Sequence, residues 1–510
     1  MKSLPLKNHY LLFISTAIYT YLFWENALGI NVFLFSLLLM LLLFMKHHNS
    51  FRSSPYVWVT LAGSLISGIM VVLNNTTNSI VIHLLSMILL TGFVHHAQLK
   101  SALFSLIAIL QTYAMMPSNA IQDYMSTHET QRSKAGSVFY FFKLLIVPFL
   151  IVIVFAILYS ISNSVFADFI GNFTAFVFDC FSKIFDYISF SALFFSLGGM
   201  AISGGIIYKH YSSKIEQEEQ NENEFIVRKR KKHFFNKAIN ALTQEYRIAL
   251  LMLVLVNILV LILNCIDIKY LWFGFVPQQG FCFKDFVHQG TELLIISILL
   301  AMFIVIYYFR NNLNFYPNNK WLRLLANLWM IQNLVLTISV GLRNYYYIYI
   351  HALAYKRIGV FFFLILVAIG LLSMLIKINQ KRSTYFLLRI NSWSVYILLI
   401  VLSCINWDET IVKFNIHHWN KKEVDVDFYY ELSPRVSYYL YQNLPIIKEQ
   451  IDGNQNEKHH WIENKTIEIF ETTLIKRMEN YNNETADYKC QSWNYADAKA
   501  INQLSKIFAK

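Results

Sequence analysis

Long apolar runs recur along the first four-fifths of the chain and stop near Asn406, after which polar and apolar positions mix at helical spacing. Crossing a hydrocarbon core of roughly 30 Å takes about 20 apolar residues in a helix. A core helix of a water-soluble protein keeps a polar face, and stretches such as 248–266 and 296–308 keep almost none. Eleven runs are expected to cross: 9–24, 28–45, 56–73, 79–94, 138–160, 190–208, 248–266, 291–309, 322–340, 359–376 and 385–403. The pattern predicts an all-α fold, a polytopic transmembrane helix bundle of eleven spans followed by a small helical extracytoplasmic C-terminal domain. The first run follows Lys2 and Lys7 as a signal peptide would, but no small-residue cleavage site comes after it, so it is read as an uncleaved span.

Lys and Arg set the expected orientation, because short cytoplasmic loops collect them. The loop 209–247, with Arg228, Lys229, Arg230, Lys231 and Lys232, is the most basic and is placed inside. The N-terminus then falls inside and the C-terminus outside, provided that the short apolar segment 101–115 does not cross. One loop disobeys, leaving Arg343, Lys356 and Arg357 outside. The segment 163–188 carries Asp168, Asn172, Asp179, Lys183 and Asp186 on one helical stripe and phenylalanines around the rest, so it is expected to lie in the interface. The divisions are therefore 1–208, an N-terminal membrane region of six spans with in-plane helices near 101–115 and 163–188; 209–247, a charged cytoplasmic loop; 248–405, a membrane region of five spans; and 406–510, the outer helical domain.

Composition narrows the function classes. The chain has 510 residues, 56% hydrophobic and 15% charged, and a mean hydropathy of +0.42. Its net charge of +12 is accounted for by cytoplasmic loops, so nucleic acid is not an expected partner. The five cysteines form no CxxC or zinc spacing and read as lone thiols, although Cys282 and Cys490 share the outer side. No H-E-x-x-H, P-loop, G-x-S-x-G or G-x-G-x-x-G motif is present. No catalytic set, cofactor or metal is expected.

Polar groups supply the remaining candidates. His288, Glu292, Arg343, His351, Lys356, Arg357, Asp408 and Asn415 gather towards the predicted outer side. They suit an ion-pair network that docks the tail, or alternatively recognition of an anionic headgroup or a proton relay. The basic run Arg228, Lys229, Arg230, Lys231, Lys232 is the candidate contact for anionic lipid headgroups, beside a Glu-rich stretch, 216–224, read as a solvated, partly helical linker. Small residues at Gly63/Ser64, Ser67/Gly68, Gly198/Gly199 and Ser203/Gly204/Gly205 predict close helix packing. His83, Asn257, Asn264, Asn327, Gln332 and Asn333 are read as interhelical hydrogen-bonding groups.

The phrases VHQGTELLIISILLAMFIVIYYFR from Val287, LWMIQNLVL from Leu328, GLRNYYYIYIHALAYKRIGVFFFLILVAIGL from Gly341 and INWDETIVKFNI from Ile405 resemble a family of bacterial polytopic membrane proteins. It is known as a domain of unknown function, of the four-one-five-three and four-one-seven-three types. The resemblance is best over 247–416 and looser before it, and QSWNYADAKA in the tail is similar too. It implies a multi-pass protein of the bacterial inner membrane and carries no site residues. The expected function is a non-enzymatic envelope sensor or scaffold, with an envelope protein as partner. The alternative is a transporter or lipid-handling protein that uses the outer ends of the later spans.

Overall fold

The computed structural model describes residues 7–127, 164–185, 190–210, 213–228, 237–273, 283–309, 312–418, 426–448 and 465–508, with a few more between 152 and 161. No strand occurs among the described residues, only an isolated antiparallel bridge between Phe225 and Arg382. A first group comprises α1 (Asn8–Phe23), α2 (Ile30–Lys46), the short α3 (His48–Ser53), α4 (Pro55–Asn74), α5 (Thr77–His95), α6 (Ala102–Thr127), α7 (Ser164–Phe185), α8 (Phe190–Ile207) and α9 (Ser213–Asn221). A second comprises α10 (Lys237–Asp267), α11 (Phe283–Tyr308), α12 (Lys320–His351), α13 (Tyr355–Gln380) and α14 (Thr384–Ser403). The tail folds as α15 (Trp407–His418), α16 (Val426–Glu431), α17 (Ser437–Gln442), α18 (Lys465–Ala486) and α19 (Tyr495–Phe508).

Seven helices among the described residues are long and apolar enough to cross a bilayer: α4, α5, α8, α13, α14 and the stretches Leu242–Trp272 and Lys320–Tyr349. The expected spans 28–45 and 291–309 correspond to shorter apolar helices, Ile30–Lys46 and Glu292–Tyr308, and 9–24 to the 16-residue α1. The expected span 138–160 lies largely outside the described residues. Leu251, Leu255, Ile258, Leu259 and Ile262 of α10 all face outward uncovered, as suits a helix whose surroundings are hydrocarbon rather than water.

Close packing follows the small residues. A Cβ on Gly63 would stand 2.1 Å from the Tyr396 hydroxyl, and one on Gly199 2.2 Å from the Tyr19 ring. Ser64, Ser86 and Tyr396 form a buried hydroxyl chain at 2.9 and 2.7 Å. In the second group, Asn257 donates to the Leu325 carbonyl and Asn264 to that of Gln332, both at 3.0 Å. Partners advance by seven residues on each helix, so α10 and α12 run parallel and the chain returns between them. α14 joins the groups: Phe386 and Leu387 sit in the core of the second, Tyr396 in that of the first.

The bundle has two distinct ends. α6 meets one of them along its whole length. It starts where Ser101 faces Ser392, crosses Gly92 of α5 and Gly204 and Gly205 of α8, and ends with Asp123 accepting from Asn8 at 3.1 Å. The helix extends beyond the expected 101–115 segment, through Pro117.

The Glu-rich stretch at this end is helical over α9 and only partly solvated: Glu216 and Glu219 are buried. Glu216 pairs with His96 at 2.7 Å. Glu219 accepts from the Lys100 and Ser101 N–H groups and the Tyr385 hydroxyl, at 2.9, 2.8 and 2.8 Å, and Glu224 pairs with Arg382 and Arg389 at 2.9 and 2.5 Å. Three converging donors make up for the lost hydration of a buried carboxylate. Helix α10 also begins at Lys237, shortening the loop expected to reach 247.

Candidate functional site at the joint between tail and bundle

The tail packs on the other end of the bundle as a cap. Its own core is built from Ile411, Tyr429, Leu440, Phe470 and Leu474 and continues into Ala352 and Ile358. The turn before α2 approaches so closely that a Cβ on Gly29 would lie 2.3 Å from the Ser492 carbonyl oxygen; the Ile30 N–H donates to Trp493 O at 2.8 Å. Arg435 forms the main polar tie. It pairs with Asp497 and donates to the carbonyls of Asn74 and Asn75 at 3.2 and 2.7 Å. Asp497 also accepts from the Tyr481 hydroxyl at 2.5 Å and Asn494 at 2.6 Å. Burial alone would lower the Arg435 pKa, but the bond and charge of Asp497 outweigh it, and the pKa is raised. Burial would raise that of Glu409, which Lys413 and Lys499, at 2.7 and 2.9 Å, instead bring down.

Beneath this cap lies a groove of about 1020 Å³, near the upper end of the range for ligand sites. Its deep wall is apolar: Ile358, Phe362, Phe363 and Leu366 from α13 face Leu398 and Leu402 from α14. Its rim is polar: Asp408, Glu431, Arg435 and Glu484 from the cap, with Asn75 to Asn78 at the α4–α5 turn. That turn is held by Asn75 in the left-handed region (φ 45°) and by a Thr76–Ser79 capping box. The wall from Ile358 to Leu366 spans about 12 Å at 1.5 Å per residue, close to the roughly 15 Å depth of one leaflet's hydrocarbon.

The polar residues singled out in the sequence meet different partners here. Arg343 is buried and pairs with Asp267 of α10 at 2.6 Å, so one of the charges that disobeyed the loop rule is internal. Arg357 donates to the carbonyls of His351 and Ala352 and sits 4.5 Å from the Tyr347 ring centroid. Asn415 clasps the same turn through Leu353 N and O at 2.8 and 3.0 Å. Ala352 within it takes φ 66°, ψ −178°, a region nearly exclusive to glycine. Asp408 accepts from Tyr355 at the groove mouth. Lys356 and Glu292 are exposed, and His288 lies on α11 with its side chain outside the described residues. Of the basic run, Arg228 is exposed and Lys229, Arg230, Lys231 and Lys232 lie outside the described residues. Sequence reasoning missed Glu431, Arg435, Glu484 and Gly359 at the groove.

At the far end a histidine cluster gathers. His47 and His95 rings stand 5.2 Å apart, His95 bonds the Ile206 carbonyl at 3.0 Å, and Lys46 donates to Ile207 O. Burial, then the charges of Lys46 and Lys209, push His47 down to about 4. Burial also lowers His96, against the pull of Glu216. Among the described residues no group of three His, Cys, Asp or Glu is arranged to hold a metal. Cys265, Cys404 and Cys490 are free thiols.

Long apolar helices with outward-facing hydrocarbon side chains, spliced by buried polar bonds, define a helical polytopic membrane protein. Residues 11–440 match the family described as a domain of unknown function (DUF4153), and the chain belongs to that family. The match takes in both helix groups and ends before the phrase beginning at Gln491. No curated protein and no solved structure matches the chain.

Proposed function

We propose that the protein is a lipid-handling membrane protein that holds an acyl-chain amphiphile at the joint between cap and bundle. The observation that carries this reading is the groove itself, with an apolar wall one leaflet deep on α13 and α14 and a polar rim from the cap. A site for a wholly polar solute would not present a wall of Phe and Leu, and one for a wholly apolar ligand would not gather charges at its mouth. The reading is one of binding, since the described lining residues supply an apolar wall and a polar rim. In this reading the chain makes eleven crossings of a bacterial inner membrane, α6 lies in the plane of its cytoplasmic face, and the cap faces outward.

The test uses the full chain purified in mild detergent. Gly359 lines the groove, and a Cβ there would meet nothing within 4 Å, so Gly359→Trp fills the site without a clash at its base. Native mass spectrometry should find lipid retained by the wild type and lost from G359W, with equal thermal stability. Equal lipid retention in both would overturn the reading. Orientation is tested separately: Cys490 is exposed on the cap and, in a variant that keeps it alone, should react with a membrane-impermeant maleimide in intact cells.

A further inference from the structure

The groove's rim carries charges of both signs. Asp408, Glu431 and Glu484 line the mouth, and Arg435, the one cation among the described lining residues, is already engaged by Asp497. Other cap carboxylates have cations of their own, Glu409 with Lys413 and Lys499, and Glu471 with Lys448. Glu431 and Glu484 are exposed and have no ion-pair partner among the described residues. The first turn of α5 lines the same mouth. Its capping box engages the N–H groups of Thr76 and Ser79, which leaves those of Thr77 and Asn78 without intrahelical acceptors, at the positive end of the helix dipole.

Resting on the lipid-handling reading, we infer that the groove selects a zwitterionic aminophospholipid, of the phosphatidylethanolamine type, from the leaflet into which α13 and α14 open. The acyl chain lies against Ile358, Phe362 and Leu366. The phosphate takes the α5 N-terminus, where backbone N–H groups and the dipole favour an anion. The primary ammonium, with three N–H donors, takes Glu431 and Glu484. An anionic headgroup of the glycerol type meets the same carboxylates as a repulsion, so the rim both attracts one headgroup and rejects the other.

The experiment titrates delipidated full-length protein with phosphatidylethanolamine, phosphatidylcholine and phosphatidylglycerol of identical chains, reading bound lipid by native mass spectrometry. The amine lipid should bind at least roughly tenfold more tightly than the glycerol lipid, the value of a charge-assisted hydrogen bond. Phosphatidylcholine, without N–H donors, should fall between them. In E431Q/E484Q the preference should collapse towards parity while binding of the glycerol lipid does not weaken. Both side chains are exposed, so folding should be unaffected, and a thermal melt checks it. Equal affinity for all three headgroups, a preference for the glycerol lipid, or a preference that survives E431Q/E484Q would overturn the headgroup inference and leave the groove reading standing. Lipid binding that survives G359W would mark annular lipid only, and would remove both.

Discussion

Replacing Arg435 with alanine should release the cap. The guanidinium spans three segments, pairing with Asp497 of α19 while donating to the last residue of α4 and to the turn that follows it. Removing one member of a buried ion pair costs about 3–5 kcal/mol, because the other charge is left uncompensated. Two features place R435A near the lower bound. The Arg435 side chain is 19% exposed, and Asp497 keeps donors from Tyr481 and Asn494 at 2.5 and 2.6 Å. A cost of about 3 kcal/mol raises the population of the undocked cap by roughly two orders of magnitude. Hydrogen exchange on the full chain in lipid nanodiscs reads this directly, at the backbone around Ile30 and Asn494 that the joint protects. The companion variants are D497N and R435A/D497N. The double variant should be less damaged than the sum of the singles, by at least about 1 kcal/mol, since contacting charges couple. Exchange in R435A within about 0.5 kcal/mol of wild type, the range of an ordinary surface change, or strict additivity in the cycle, would refute the assignment of Arg435 as the tie.

Neighbouring glycines provide a paired test of packing: Gly199→Ala should destabilise by about 1–3 kcal/mol through overpacking on Tyr19, while Gly198→Ala, with nothing within 4 Å of its Cβ, should be neutral or stabilising by thermal melt. Ala352→Gly should raise stability by about 1 kcal/mol by relieving the φ 66° backbone, and a loss of stability would show that the turn is unstrained. Arg343→Met alone should cost about 3–5 kcal/mol by stranding Asp267, whereas Asp267→Leu with Arg343→Met should recover most of it; a double variant as damaged as the single contradicts this. His47, held near 4 against an ordinary 6.5, is neutral in the fold, so its stabilising contribution is present above pH 6.5 and is lost as pH falls towards 4. Melting temperature should therefore drop across that window less in H47N than in wild type, and parallel curves would exclude the contribution.

The helices long and apolar enough to cross were legible because bilayer thickness forces run length into the sequence: α4, α5, α13 and α14 read directly from their apolar residues. Charges were read less well, for a physical reason. A count of Lys and Arg treats each as a loop charge, yet Arg343 is neutralised by Asp267, 76 residues away, and Glu219 is satisfied by Lys100, Ser101 and Tyr385 from two distant elements. No local window contains those partners. The groove is further from reach still, since its wall reads as ordinary span on α13 and α14 and its rim as an ordinary polar tail. Asp408 alone among the rim carboxylates was singled out, because it follows the last span. Gly359 carried a faint signal, a residue without a side chain at the mouth of an otherwise bulky apolar helix, where small residues usually mark helix contact. Among the described residues nothing stands within 4 Å of a Cβ there, so no described helix contact accounts for this glycine, and in the reading proposed above an occupant of the groove would lie against it.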